Sequence, residues 1–338
     1  MVKILGIELA PLRIPLERRI QTAVALYWTL TFLLEGFGCL FLLIYLCFTR
    51  FYWIPCLYLI WYIYDYDQAA RGGRRCEWIR RWKIWEYFRD YFPVKLIKTV
   101  DLPPDRNYLF CFHPHGVMCA GAFCNFATAA TGFSELFPGL TSYLLVLKGQ
   151  FQFPLHREYF MTSGACDCTK ESLEYLLTHG KGNAPVLVVG GALEALNAHP
   201  GKYSLNLSHR KGFVRMAMKL GVPLVPVFSF GENDLFVQVN NPPGSFLRRL
   251  QETLMKYCGF SLPAFHGRGV FNYTFGIVPF RKPVNTVVGG PIEVERNENP
   301  SKEQVDDVHA KYVAALQQLF EDNKKQYGLD EMQHIIIQ

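Results

Sequence analysis

Read along its hydrophobic pattern, the chain changes character near residue 85. Residues 22–48 are apolar almost throughout, with Glu35 as their one charge, and as a helix they would run about 40 Å, enough to cross the hydrocarbon core with tilt. A second apolar run, 51–64, follows Thr49 and Arg50; it would be about 21 Å long as a helix, short for a full span, and it carries Pro55. The two runs predict a hairpin dipping into a bilayer. The first is too long and starts too late for a removable signal peptide. Glu35 is costly in lipid unless neutral or paired, so it predicts a break in the helix rather than chemistry.

Beyond residue 85, short β-rich runs alternate with helical ones. Residues 108–113 (YLFCFH), 185–189 (PVLVV) and 224–230 (LVPVFSF) read as buried strands. The small, apolar stretch 117–130 reads as a closely packed helix. Phe213, Val214, Ala217 and Leu220 recur at helical spacing before Gly221, a C-terminal stop. Ser301 and Gln304 have capping-box spacing and open a helix that turns Val305, Val308, Leu316 and Phe320 inward. The alternation predicts an α/β fold, a mixed or largely parallel sheet with flanking helices, preceded by the N-terminal membrane hairpin. The expected division is a membrane-anchoring hairpin and basic collar over 1–84 and a globular domain over 85–338.

Composition fits that division. Apolar residues form 50% of the 338 and charged residues 19%, which excludes a disordered chain. The mean hydropathy, +0.07, is high for a soluble protein and low for one made mostly of spans. The net charge of +6 comes without a Lys/Arg face along the globular part, so nucleic acid is not implied. Basic residues do gather at Arg71, Arg74, Arg75, Arg80, Arg81 and Lys83, opposed only by Glu77. That cluster is either a solvated loop or a collar at the membrane surface, and the interleaved Trp78 and Trp82 favour the collar. With Arg13, Arg18 and Arg19 ahead of the first run, the positive-inside rule puts both ends of the hairpin in the cytosol. None of the ten cysteines has zinc spacing, and they read as free thiols on a reduced, cytosol-facing protein. The sequons at Asn206 and Asn272 then stay unmodified; glycosylation at either would place the globular part in the lumen.

Familiar catalytic motifs are missing: no G-x-S-x-G, no dinucleotide fingerprint and no phosphate loop. What remains is His113-Pro114-His115-Gly116 at a predicted strand end. There an imidazole can project into a cleft, and Gly116 lets a ligand approach the backbone. Histidine titrates near neutral pH, so one of the pair can take a proton from an alcohol. Metal ligation and ring packing are the alternatives; no third-ligand cluster accompanies the two histidines, and no metal is expected. Glu194 follows Gly190-Gly191 after an apolar strand and could orient the histidine or hold a hydroxylated substrate. Arg210 and Lys211 open a helix, a setting suited to phosphate or a developing oxyanion.

These residues, with Tyr91-Phe92-Pro93, Gly121-Ala-Phe-Cys-Asn125, Arg210-Lys211-Gly212-Phe213-Val214 and Phe230-Gly231-Glu232-Asn233, carry a resemblance. The chain resembles the diacylglycerol acyltransferase type 2 family, which includes monoacylglycerol and wax-alcohol acyltransferases. The motifs occur in family order over nearly the whole chain. Glu17–Gln21, Gly231–Leu235 and His266–Gly269 look most like the monoacylglycerol branch. The resemblance implies an enzyme of the endoplasmic-reticulum membrane that moves a fatty acyl group from acyl-CoA to a monoacylglycerol or diacylglycerol hydroxyl. It implies acyl-CoA as co-substrate, no further cofactor and no nucleic-acid partner, and leaves a homo-oligomer open. His115, with His113 beside it, is the expected base, Glu194 its expected partner with Glu232 second, and Arg210, Lys211 and Gly116 the expected acyl-CoA side. The more distant glycerolipid acyltransferases use His-x4-Asp; here the corresponding positions are Met118 and Ala120, so a partner for the base comes from elsewhere in the chain. A covalent route through Cys124, a hydrolase using water, and a lipid-binding protein without catalysis are the other readings.

Overall fold

The computed structural model describes residues 3–4, 6–11 and 13–338, without the side chains of Ile4 and Cys258. Seven strands form one sheet: β1 (Val94–Lys98), β2 (Leu109–His113), β3 (Thr141–Val146), β4 (Ala165–Asp167), β5 (Asn183–Val188), β6 (Leu224–Phe230) and β7 (Val284–Val288). Their order is β1-β7-β6-β2-β5-β3-β4, and every neighbouring pair is parallel except β7 with β6. The expected mixed, largely parallel sheet is thus the observed one. Central strands in such a sheet are covered on both faces, which is why β2 and β6 are buried at every residue.

Alternation along β2 assigns its side chains to two layers. Phe110 and Phe112 enter an aromatic layer with Trp85, Phe88, Phe126 and Phe133. Leu109 and Cys111 face the opposite layer, with Phe213, Val214, Tyr312 and Leu316. His113, two residues further on, falls on the second side, and it meets Tyr312 there. The helix over Lys302–Lys324 that carries Tyr312 starts with both capping-box bonds formed between Ser301 and Gln304.

The first apolar run forms a helix of 32 residues, Leu16–Cys47, starting earlier than the pattern suggested. It is long and apolar enough to cross a membrane. In its N-terminal half Val24, Ala25 and Trp28 pack into the aromatic layer of the sheet; further on, Phe41, Tyr45 and Phe48 are exposed. At Glu35 the chain does not break. Residues Thr31–Glu35 form a π-helical turn, and Glu35 is paired, with His156 Nδ1 3.0 Å from its Oε2. A shorter apolar helix, Trp53–Tyr64, is fastened by Tyr58, which accepts from the Leu155 N–H at 2.8 Å, and by Tyr62, which donates to the Gln152 carbonyl at 3.2 Å. The helix Lys83–Tyr91 carries the chain from this part onto the sheet.

Two local readings change. The stretch 117–130 is not one helix: Cys119 takes a left-handed conformation (φ 54°), a short turn occupies Ala120–Ala122, and a π-helical turn follows at Phe123–Ala127. The basic collar is only partly a collar. Arg80 is buried and donates to the carbonyls of Phe126, Thr128 and Ser163, while Arg74 pairs with Asp65 and Glu158. A guanidinium with five donors can satisfy several carbonyls at once, so these arginines tie loops together. Arg71, Arg81, Lys83, Trp78 and Trp82 remain exposed. Nine cysteines are free thiols; the Cys258 side chain lies outside the described ones.

Candidate active site

Three adjacent parallel strands, β5, β2 and β6, deliver the candidate chemistry from their C-terminal ends, the edge at which open α/β sheets bind ligands. His113 ends β2, Glu194 follows the glycine turn after β5, and Glu232 follows Gly231 after β6.

His115 is half-buried, whereas His113 is fully buried in the floor. Nδ1 of His115 lies 3.1 Å from the Gly116 carbonyl oxygen, which can only accept, so Nδ1 carries the proton and Nε2 keeps its lone pair. The Cys119 thiol donates to the His115 carbonyl at 3.0 Å. Nε2 of His113 is 2.9 Å from the Tyr312 hydroxyl, which itself donates to the Cys111 carbonyl at 3.4 Å. That chain puts a proton on Nε2 and leaves Nδ1 of His113 without a hydrogen-bond partner among the described residues. Burial pushes His113 down to about 3 and lowers His115 as well, so both rings are neutral near neutral pH.

Glu194 touches neither ring. Its two oxygens accept backbone N–H groups, from His115 at 2.7 Å and from Asn206 at 2.9 Å. The carboxylate therefore fixes the main chain that presents His115. Glu232 plays a matching part on the other side: its Oε2 accepts the Gly121 N–H at 2.9 Å, and the side chain fills space that a Cβ at Gly116 or Gly121 would need. Gly116 adopts φ 61°, a left-handed conformation that suits glycine. Arg210 is exposed, with its guanidinium over Gly191 and its charge near Glu194. The Nζ of Lys211, next to it in the chain, pairs with Asp306 at 2.6 Å. Cys124 is buried, and burial pushes its thiol up, opposite to what a nucleophile needs.

Tyr312 and Cys119 were not singled out from sequence, and Asn206 only as a sequon, not as part of the site. Tyr312 was within reach, since it falls between Val305 and Leu316 on the inward face of its helix. The other two act through backbone groups or a left-handed turn, which residue types do not announce.

The two glutamates give the site a pH signature. Burial raises each carboxyl from 4.5 to about 7, against the pull of its N–H donors. The folded chain then binds these protons more tightly than the unfolded chain, so their contribution to stability falls as pH rises through that window. His113 has the opposite sign below its ordinary 6.5: the unfolded ring charges first, and stability rises with pH. Glu232→Gln removes one falling contribution. The melting temperature of wild type minus that of the variant should therefore decrease from pH 4.5 to 7. Parallel curves would contradict the buried-acid assignment.

Known proteins resemble this chain over nearly its whole length. A family model described as diacylglycerol acyltransferase matches residues 44–338. The 2-acylglycerol O-acyltransferase 1 of Bos taurus is 52% identical over 331 residues, covering 98% of this chain and 99% of its own. The protein of that name from Homo sapiens is 47% identical over 332 residues, with the same coverage. Diacylglycerol O-acyltransferase 2 of Danio rerio is 46% identical over 327 residues, 96% of this chain and 91% of its own. Among solved structures, the 1-acyl-sn-glycerophosphate acyltransferase of Thermotoga maritima is similar at a TM-score of 0.40 and 12% identity, covering 89% of this chain and 97% of that one. With its family match running from residue 44 to 338 and relatives 46–52% identical over nearly their full length, the chain belongs to the diacylglycerol acyltransferase family.

Proposed function

We propose that the protein transfers a fatty acyl group from acyl-CoA to a hydroxyl of monoacylglycerol, forming diacylglycerol, at the cytosolic face of the endoplasmic-reticulum membrane. One observation carries the chemistry: His115 stands half-open at the strand ends with Nδ1 committed as a donor and Nε2 without a hydrogen-bond partner among the described residues. Nε2 takes the hydroxyl proton as the oxygen attacks the thioester carbon. The tetrahedral oxyanion collapses, the C–S bond breaks, and the departing thiolate recovers the proton from the imidazolium. Acyl-CoA is the co-substrate and no further cofactor takes part. Arg210, exposed beside the glycine turn, is the cation for CoA phosphate or the oxyanion; Lys211, already paired, contributes less.

The acceptor is supported by the 52% identity to a protein named for 2-acylglycerol. The 46% identity to diacylglycerol O-acyltransferase 2 supports a second reading, with diacylglycerol as acceptor. The basic flanks of the apolar runs support cytosolic ends, and with them a cytosolic catalytic domain. The experiment offers membranes labelled acyl-CoA with monoacylglycerol, diacylglycerol or a long-chain alcohol. Labelled diacylglycerol formed fastest is the expected result; free fatty acid alone would make the protein a hydrolase, and no turnover would make it a binding protein. In the same assay Arg210→Gln should raise the apparent KM for acyl-CoA about tenfold, the value of a charge-assisted hydrogen bond, and leave that for the acceptor unchanged. Equal effects on both substrates would remove Arg210 from the CoA side.

A further inference from the structure

The helix Phe246–Cys258 carries polar side chains inward and apolar ones outward. Arg248 and Gln251 are buried; Arg248 donates to Asn197 Oδ1 at 2.7 Å, and Gln251 accepts from Asn241 at 2.9 Å and donates to the Leu262 carbonyl at 3.0 Å. Phe246 and Tyr257 are 85% and 82% exposed, and Leu250 is exposed with them. At 100° per residue these three fall within about 40° of one another, on a single stripe. In the loop that follows, Phe271 and Phe275 are 75% and 65% exposed. Apolar surface gathered in this way marks an interaction site.

Charge and position say what covers it. Between residues 245 and 282 there are six Lys and Arg and one acidic residue, Glu252. Arg249 and Lys256 are exposed beside the stripe, where long stems can lie along apolar surface and hold the charges at headgroup level. The loop is also strapped to the root of the membrane helix. Ala10 N–H donates to the Phe271 carbonyl at 2.9 Å, Tyr273 N–H donates to the Glu8 carbonyl at 2.8 Å, and Arg281 donates to Gln21 of the helix. The loop is thereby held beside the start of the apolar helix, on the side from which the chain runs toward its exposed half.

We propose that the outward stripe of this helix and the 270–277 loop lie in the headgroup layer of the bilayer, as a second membrane contact besides the apolar hairpin, and that they favour anionic lipid. The test uses the full chain in nanodiscs of phosphatidylcholine, with and without phosphatidylserine. Photoreactive benzoylphenylalanine replaces Tyr257 or Phe271, and, as control, Lys311, exposed on the helix that covers the opposite face of the sheet. Lipid adducts at 257 and 271 should exceed those at 311 by about fivefold or more, and phosphatidylserine should raise the yield at 257 about fivefold, the effect of one surface cation. Arg249→Gln with Lys256→Gln should cancel that rise. Yields no higher than at 311, or adducts to a second copy of the chain instead of lipid, would overturn the proposal; yields indifferent to phosphatidylserine and to the two charge removals would overturn its preference for anionic lipid.

Discussion

Replacing His115 by alanine is expected to lower kcat for acyl transfer about a hundredfold to ten-thousandfold while the protein stays folded in the membrane. The ring is half-buried and its Nδ1 meets only near neighbours in the chain, the Gly116 carbonyl and the Cys119 sulfur, so its removal opens no large hole in the core. His113→Ala is a different change. That ring is fully buried and bonded to Tyr312, and its loss leaves a cavity and takes from the Tyr312 hydroxyl oxygen the donor it accepts from, costing about 1–3 kcal/mol. Turnover and thermal melting of both variants in nanodiscs separate the roles. Near-normal turnover in His115→Ala would end its assignment as the base. Lost turnover with unchanged melting in His113→Ala would transfer the role to the unpaired Nδ1 of His113.

Glu194→Gln should lower kcat about a hundredfold with little change in either KM. The two carboxylate oxygens accept two N–H groups, at His115 and Asn206. Glutamine has one oxygen and an NH2 group, so one of those backbone donors then faces another donor, at a cost of about 1–3 kcal/mol. The main chain relieves this by moving, and a shift of about 1 Å in the reacting group is enough for such a loss in rate. A binding residue would behave otherwise: kcat intact with a raised KM for the lipid would move Glu194 into the acceptor pocket. Gly190 belongs to the same arrangement, since any side chain there would collide with the Glu194 carboxylate.

Much of this was legible in the residues. Strand 224–230 coincides with its observed bounds because a continuous apolar run in an alternating α/β pattern has few other places to go. The histidine pair stands at a strand end, as its Pro and Gly suggested. The misreading of 117–130 has a definite cause: small apolar residues suit a helix, but Cys119 is left-handed, and nothing about a cysteine signals that. Glu194 was found by its glycines, yet its way of acting was hidden. A sequence shows that an acid follows a turn; it does not show that both oxygens are taken by main-chain donors. The charged residues at 74 and 80 were harder still, because solvated and buried arginines look alike until their carbonyl partners are known.

The π-helical turn at Thr31–Glu35 acts on more than Glu35. A turn holding one extra residue rotates everything beyond it by about 100° relative to an unbroken α-helix. Val24 and Trp28 precede the turn, Gly36 and Leu43 follow it, and all four are buried against the protein. The turn thus works as a phase adjuster, aligning two stripes that an ideal helix would leave out of step. Sequence changes in the outer half of this helix can accordingly retune which side meets lipid without altering how the inner half is seated.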